Sequence, residues 1–410
     1  MKPQETPEVA IVGAGLAGLA CARVLARAGR RVVVFDQADA PGGRMRTDVV
    51  DGFRLDRGFQ VLLTAYPEAR LVLDYPRLDL RAFYPGALVR FGGAFHRVAD
   101  PWRRPLDGLL GVASPIGSIA DKLRVGRLRL EATAASLEAI ASRPETSTRD
   151  ALAARGFGGA MRERFFRPFL GGVFLEEELR TSSRMLEFVW KMFAAGDIAV
   201  PALGMEEIPR QLAAGLDPGT IRTGVAVAAL EPGGLRLADG TRTDARAVVV
   251  AADGPTAARL LGEADPGSRA VTCHYFAAPR SPLGEPILVL NGEGSADGPV
   301  NNLCVMSDVS PLYAPAGQAL VSATVLEGTP DATEGVVAQL RRWYGAEVDG
   351  WHHLRACRIA HALPERAPLR DVRLRDGVYR CGDWCEQASI NGALIAGRRA
   401  GEAVLADLHG

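Results

Sequence analysis

The stretch VAIVGAGLAGLACARVLARAGRRVVVFD, Val9 to Asp36, constrains the fold more than any other part of the chain. A short apolar run at 8–13 leads into Gly13-Ala14-Gly15-Leu16-Ala17-Gly18. An Ala/Leu-rich segment of helical period then covers 15–29, and a second apolar run, RVVVFD, covers 31–36. The pattern predicts a strand, a glycine turn, a helix and a second strand. Each glycine has its own use. Gly13 permits the tight turn, Gly15 lets backbone approach a pyrophosphate, and Gly18 lets the helix pack closely on the strand. The helix start then offers unpaired N–H groups and a partial positive charge to phosphates. Asp36, 18 residues after Gly18, ends the second strand, where a carboxylate can accept hydrogen bonds from ribose hydroxyls. The unit predicts a bound dinucleotide without saying which one.

The choice between dinucleotides rests on the chain beyond Asp36. PGGRMRTD, Pro41 to Asp48, comes directly after the second strand. Gly42 and Gly43 allow close backbone approach, and Arg44 is placed to meet a phosphate or a flavin edge. Further along come LDRGFQVL (55–62), TGVAVAAL, AVVVAADGP and YRCGDW, the last followed by SINGALIAGRRAGEAV. In this order the segments resemble the flavin amine oxidase superfamily, which includes monoamine and polyamine oxidases, protoporphyrinogen oxidase and phytoene desaturases. The resemblance implies non-covalent FAD. It places Asp36 and Gln37 at the adenosine end and Gly58, Phe59 and Gln60 under the flavin. It implies that Val227 offers backbone to the adenine and that Gly382 and Asp383 meet the ribityl chain. A C-terminal helix beginning at Ser389, Ile390 and Asn391 would point at the isoalloxazine. Its N–H groups, those of Asn391 and Gly392 first, would stabilise negative charge there. Alternatively, Ser389 or Asn391 simply caps the helix.

Two departures from the family bear on the substrate. Many amine oxidases carry a lysine near flavin N5, yet the lysines here are Lys2, Lys122 and Lys191, all outside the strand region 268–330. Ser389 stands where those enzymes tend to carry an aromatic residue of an amine cage. Trp190 and Trp384 could supply aromatic walls or belong to the core. The same choice applies to Phe165, Phe166, Phe169, Phe174, Phe188 and Phe193, which could line an apolar tunnel. Cys381 and Cys385 flank the glycine–acid motif and predict no covalent flavin link. His352-His353 lacks further ligands and predicts no metal site. The resemblance therefore implies an FAD-dependent oxidoreductase of desaturase or oxidase type. A hydride would pass from a C–H bond of a hydrophobic isoprenoid, polyene or porphyrinogen-like substrate to flavin N5. An amine or amino-acid oxidase, and a non-redox flavin-dependent isomerase, are the alternatives. No catalytic side chain is identified, in keeping with chemistry carried by the cofactor.

The remaining chain predicts an α/β protein in which a Rossmann-type FAD-binding domain is interleaved with a mixed α+β substrate domain. The FAD-binding domain is expected from 1–75, 200–267 and 365–410, and the substrate domain from 76–199 and 268–364. Helical period dominates from about 105 to 200. Strands are expected at 271–277, 286–290, 300–307 and 319–326, with a helix at 331–344 and a hairpin turn at Asp239-Gly240. Lysine plus arginine equals aspartate plus glutamate, 48 each, which gives no reason to expect a nucleic acid partner. Six scattered cysteines form no disulfide framework and suggest reduced thiols in a cytoplasmic protein. No apolar run reaches the length of a membrane span; peripheral membrane contact stays open.

Overall fold

A computed structural model describes residues 7–110, 114–327, 332–375 and 377–409. Its first large element is a six-stranded sheet assembled from distant parts of the chain. In spatial order its strands are Ile221–Arg222, Val32–Phe35, Val9–Val12, Ala247–Val250, Val378–Arg380 and Arg373–Arg375. All pairings but the last are parallel. Val9–Val12 and Ala247–Val250 are buried throughout, as parallel strands covered on both faces must be. The helix Leu16–Arg27 leaves the first strand through the glycine turn and packs against the C-terminal helix Ile390–His409.

The second large element is a seven-stranded sheet in the order His352–Pro364, Ser268–Ala278, Ala319–Leu326, Val300–Val305, Leu288–Asn291, Gly86–Phe91 and Ala94–Ala99. It is antiparallel apart from the pairing of Leu288–Asn291 with Gly86–Phe91. The helix Thr333–Tyr344 covers one face through Val336, Leu340 and Trp343, which join a core cluster with Phe276, Val321 and Val325. Helices Ile119–Ala134, Arg167–Phe174 and Ser183–Ala195 occupy the helical stretch expected between 105 and 200. A meander of Val227–Glu231, Gly234–Leu237 and Arg242–Asp244 completes the middle of the chain. Gly240 adopts φ +89° in its expected turn.

Asp56 ends the strand Phe53–Asp56, which pairs with Thr47–Val50, and its buried side chain gathers distant parts of the chain. Asp56 accepts hydrogen bonds from Thr47 Oγ1 at 2.6 Å, the Met205 N–H at 2.9 Å and the Tyr313 hydroxyl at 2.8 Å. Tyr275, on the strand Ser268–Ala278 of the seven-stranded sheet, donates to the Asp56 backbone carbonyl at 2.5 Å. Burial pushes the Asp56 carboxyl up to about 6, against the hydrogen bonds that favour its charge.

Candidate functional site

A cavity of about 560 Å³ runs from the glycine turn to the start of the C-terminal helix, and along the seven-stranded sheet. At the first end lie Gly13, Gly15, Leu16, Ala17, Asp36 and Gln37. The helix Leu16–Arg27 has no side-chain cap and no acid in its first turn, so its N–H groups face the cavity without a protein anion. A Cβ on Gly15 would meet nothing within 4 Å, and the space is open to a ligand. Gly18 serves packing: a Cβ there would stand 1.9 Å from the Gly13 carbonyl oxygen. Ala14 is fully buried, and its N–H donates to Asp36 Oδ2 at 2.6 Å. Asp36 Oδ1 accepts from the Ala38 N–H at 2.8 Å, which fixes the carboxylate at the cavity wall with lone pairs to spare. Thus Ala14 and Gly18 shape the turn from behind, and neither lines the cavity.

The middle of the cavity joins two motifs from opposite ends of the chain. Gly42, Gly43 and Arg44 line it together with Gly382 and Asp383. Gly42 and Gly43 have φ of +131° and +59°, and a Cβ on Gly43 would press on Gly15 Cα at 3.3 Å. Arg44 Nη2 pairs with Asp383 Oδ1 at 2.8 Å, and Nη1 donates to the Ala362 carbonyl at 2.7 Å. Burial opposes the Arg44 charge; the Asp383 carboxylate, with Asp253 behind it, outweighs this and holds its pKa above the ordinary value. Gly58, Phe59 and Gln60 also line the cavity. Gly58, at φ +89°, lies against Ile359, and Gln60 Nε2 holds the Arg44 and Arg57 carbonyls at 2.9 Å. Val227 lines the first end beside Val225, Ala251 and Asp253.

At the start of the C-terminal helix the capping alternative fits Ser389 but not Asn391. Ser389 and Ile390 line the cavity, but Ser389 Oγ accepts from the Gly392 N–H at 3.0 Å and so occupies that donor. Asn391 is buried and turned away; its Oδ1 accepts from the Glu68 N–H at 3.0 Å, fastening the helix Pro67–Val72. Neither the Asn391 side chain nor the Gly392 N–H is placed to serve the cavity.

The far end of the cavity is apolar. Phe83, Phe169, Val173, Met185, Val189, Phe193, Leu288 and Leu290 line it, with Tyr66, Tyr84 and Asn302 as the polar side chains. Burial raises the pKa of both tyrosines, so both stay neutral. No His, Asp, Glu or Lys lines this end among the described residues. Of the aromatic cluster, Phe169 and Phe193 reach the cavity, while Phe165, Phe166, Phe174, Phe188 and Trp190 are core. Trp384 is also core, its Nε1 donating to the Ala252 carbonyl at 3.1 Å. Sequence reasoning missed Asn302 and Tyr84; an asparagine inside an apolar strand was the available signal for the first. All six cysteines are free, and no cluster of metal-ligating side chains occurs among the described residues.

The cavity fits FAD: an uncapped helix start, glycine backbone in close approach and a fixed acid at one end, and a wide apolar chamber at the other. Residues 16–405 match the model of the family described as Flavin containing amine oxidoreductase. Phytoene dehydrogenase of Streptomyces griseus is 56% identical over 54 residues, 13% of this chain and 11% of that protein. Hydroxyneurosporene desaturase of Rubrivivax gelatinosus is 47% identical over 57 residues, 14% of this chain and 11% of that protein. The chain thus aligns with about a tenth of the length of these curated relatives. An oxidoreductase structure from Methanosarcina mazei superposes with a TM-score of 0.75 at 17% identity, covering 97% of this chain and 99% of that one. At such identity the likeness concerns the fold.

Proposed function

Because the chain belongs to the flavin containing amine oxidoreductase family, we infer that it is an FAD-dependent oxidoreductase of desaturase or oxidase type acting on a C–H bond of an apolar substrate. When bound, FAD supplies the two-electron acceptor, with N5 receiving a hydride from the substrate. The chain's own residues bind, orient and exclude water. The uncapped N–H groups at Leu16 and Ala17 hold the pyrophosphate, and Asp36 accepts from the adenosine ribose. Gly42, Gly43 and Gly58 would let backbone approach the cofactor closely, Val227 would meet the adenine, and Asp383, positioned by Arg44, would meet the ribityl chain. Ser389 and Ile390 abut the ring end. We assign this binding to residues 1–75, 200–267 and 365–410, and the substrate chamber to 76–199 and 268–364, with Tyr66 of the first segment at its wall.

One observation carries the substrate class: the far end of the cavity is walled by apolar side chains, and the carboxylates that line the cavity, Asp36, Asp253 and Asp383, sit with the cofactor motifs. An ammonium group there would be desolvated without a counter-charge, at a cost of several kcal/mol by roughly the scale of buried ions. A neutral hydrocarbon-rich molecule meets no such cost. The chamber also offers no general base, which suits hydride removal from carbon more than proton removal from nitrogen.

The test has two parts. Purified protein should be yellow and release its flavin on heating or acid treatment. Oxidised-flavin absorbance should then be lost on anaerobic mixing with members of a panel of polyenes, porphyrinogens, amines and amino acids. Loss with polyenes or porphyrinogens is expected. Loss with amines alone, with aldehyde formed, would overturn the substrate class; a colourless protein that FAD cannot reconstitute would overturn the whole reading.

A further inference from the structure

The strand Val300–Val305 is buried along its whole length, yet it carries two amides, Asn301 and Asn302. Its apolar residues show which way each side chain faces. Leu303 and Val305 join the core cluster beneath the helix Thr333–Tyr344. Side chains alternate along a strand, so Asn302 and Cys304 take the opposite face. The neighbouring strand agrees: Asn302 pairs with Leu290 and Cys304 with Leu288, and both leucines line the chamber. Asn302 is therefore a buried amide, 3% exposed, set in an apolar wall at the far end of the cavity.

Its hydrogen bonds leave it half satisfied. Asn302 Nδ2 donates to Thr324 Oγ1 at 3.2 Å, and Oδ1 accepts from Asn301 Nδ2 at 2.9 Å. An asparagine amide has two donor hydrogens and two acceptor lone pairs. One of each is left over, and nothing else among the described residues meets them. Leaving them unmet beside apolar side chains is unfavourable. Asn301 has no such surplus of donors: its second amide hydrogen goes to the Pro168 carbonyl at 2.9 Å. Held at both ends in this way, Asn301 fixes the direction of the Asn302 amide.

The helix Arg167–Phe174 leaves that amide open. Gly172, which lines the chamber, faces it: a Cβ there would stand 3.0 Å from Asn302 Oδ1 and 3.2 Å from Asn301 Nδ2. Gly172 lies inside the helix and has no positive φ, so its backbone does not call for glycine. What the glycine provides is space beside the amide. Of the other polar side chains at this end, Tyr84 has its hydroxyl committed to Asp107 at 2.5 Å, and Tyr66 lies flat on Phe188 with ring centroids 5.9 Å apart.

We propose that Asn302 is the specificity residue of the chamber and that the substrate is an apolar molecule carrying a hydroxyl group, which hydrogen-bonds to this amide. A hydroxyl can use either free position, as donor to Oδ1 or as acceptor from Nδ2. The assignment rests on the reading of the chamber as a site for a neutral apolar substrate. It adds that the substrate is not a pure hydrocarbon and that its oxygen lies away from the cofactor motifs. An anchor at that end fixes which carbon of a long chain is held against the flavin.

The experiment compares geranylgeraniol with the tetraene hydrocarbon that lacks only its hydroxyl. Each is added in non-ionic detergent to FAD-loaded protein, and dissociation constants are taken from the rise in melting temperature with ligand concentration. The quantity read is the ratio of the hydrocarbon constant to the alcohol constant. Comparing that ratio between wild type and variant cancels unequal partition into detergent. In Asn302→Leu the ratio should fall at least about tenfold, the effect of an amide that only the alcohol can pair. Gly172→Ala keeps the Asn302 hydrogen bonds but covers the amide, and should lower the ratio in the same direction. A purely structural role for Asn302 would weaken both ligands alike and leave the ratio unchanged in Asn302→Leu; that result overturns the proposal. A ratio that falls in Tyr66→Phe but not in Asn302→Leu also overturns it, by assigning the oxygen to Tyr66. Where Asn302→Leu does not fold or retain flavin, the Gly172→Ala ratio decides. Protein that binds neither ligand overturns the apolar reading of the chamber together with this assignment. Protein that binds both ligands, with a ratio indifferent to the variants, loses the anchor and keeps the apolar chamber.

Discussion

Arg44 and Asp383 stand 339 residues apart in sequence and 2.8 Å apart in space. The pair joins the second glycine motif to the C-terminal one, and its energetics depend on unequal exposure. The Asp383 side chain is 6% exposed and that of Arg44 34%. Removing the arginine would leave a buried carboxylate uncompensated, whereas removing both would leave two modest gaps. Arg44→Ala should therefore lower stability by about 2 kcal/mol, less than for a fully buried pair because Arg44 is partly in water. For a chain of this size that is a fall of roughly 2 °C in melting temperature. The Arg44→Ala, Asp383→Asn double variant should lose less than the sum of the singles. Additive losses in the four-way cycle of melting temperatures would show that the two groups act independently. Residue types at this site were legible in the sequence; side-chain directions were not. Asn391 sits where the motif leads one to expect a cofactor contact, yet its amide faces Glu68, because a helix start must satisfy whichever backbone lies beside it.

At the scale of elements, the cofactor end depends on two helices held at close range. The C-terminal helix presents Gly397 and Gly401, one turn apart, to the first helix. A Cβ on Gly397 would lie 2.2 Å from the Ala17 carbonyl oxygen, and one on Gly401 2.9 Å from Val24 Cβ. The obstacle at Gly397 is backbone, which cannot rotate aside. Gly397→Val should force the helices apart, cost at least about 3 kcal/mol as overpacking, and weaken FAD retention, since Leu16 and Ala17 start the helix that is pushed. Gly29→Ala is the contrast. Gly29 has φ +73° with open space around it, so the change should cost about 1 kcal/mol and leave FAD retention alone. Both are read by flavin released during a thermal ramp, and equal release from the two variants would refute the packing argument. These elements were readable because apolar period, glycine and caps agree over their length. The strand His352–Pro364 was not. It lies at the sheet edge, paired on one side only, and its alternation of small, basic and apolar residues carries no clear period. The hairpin Gly86–Phe91 and Ala94–Ala99 was missed for a similar reason, since the outer strand is nowhere fully buried.

The whole molecule is tied together at Asp56. Thr47 reaches it from the paired strand Thr47–Val50 and Met205 from the turn before the helix Glu207–Ala213, while Tyr275 comes from the seven-stranded sheet and Tyr313 from the short turn Pro311–Tyr313. None of this could be read from LDRGFQVL, where only Gly58, Phe59 and Gln60 carried an expectation. The partners lie between 9 and 257 residues away and converge only in the folded chain. Burial raises its carboxyl from an ordinary 3.8 to about 6. Between those values the folded protein keeps a proton that the unfolded chain has lost, so the group's contribution to stability falls as pH rises through that window. Below it both states are protonated, and above it both are ionised with the penalty fully present. The penalty amounts to about 3 kcal/mol at neutral pH. Asp56→Asn keeps the shape and removes the titration. The wild-type melting temperature minus that of the variant should therefore drop by roughly 3 °C between about pH 4 and pH 6 and stay level above it. Taking the difference cancels other carboxylates such as Asp48, held low by Arg57, and Asp121, held low against burial by the Gly158 N–H and Ser118, which shift stability in the opposite direction over acid pH. A difference curve that is flat, or that rises with pH, would mean that the Thr47, Met205 and Tyr313 hydrogen bonds outweigh burial and that Asp56 holds these segments together as a stabilised anion.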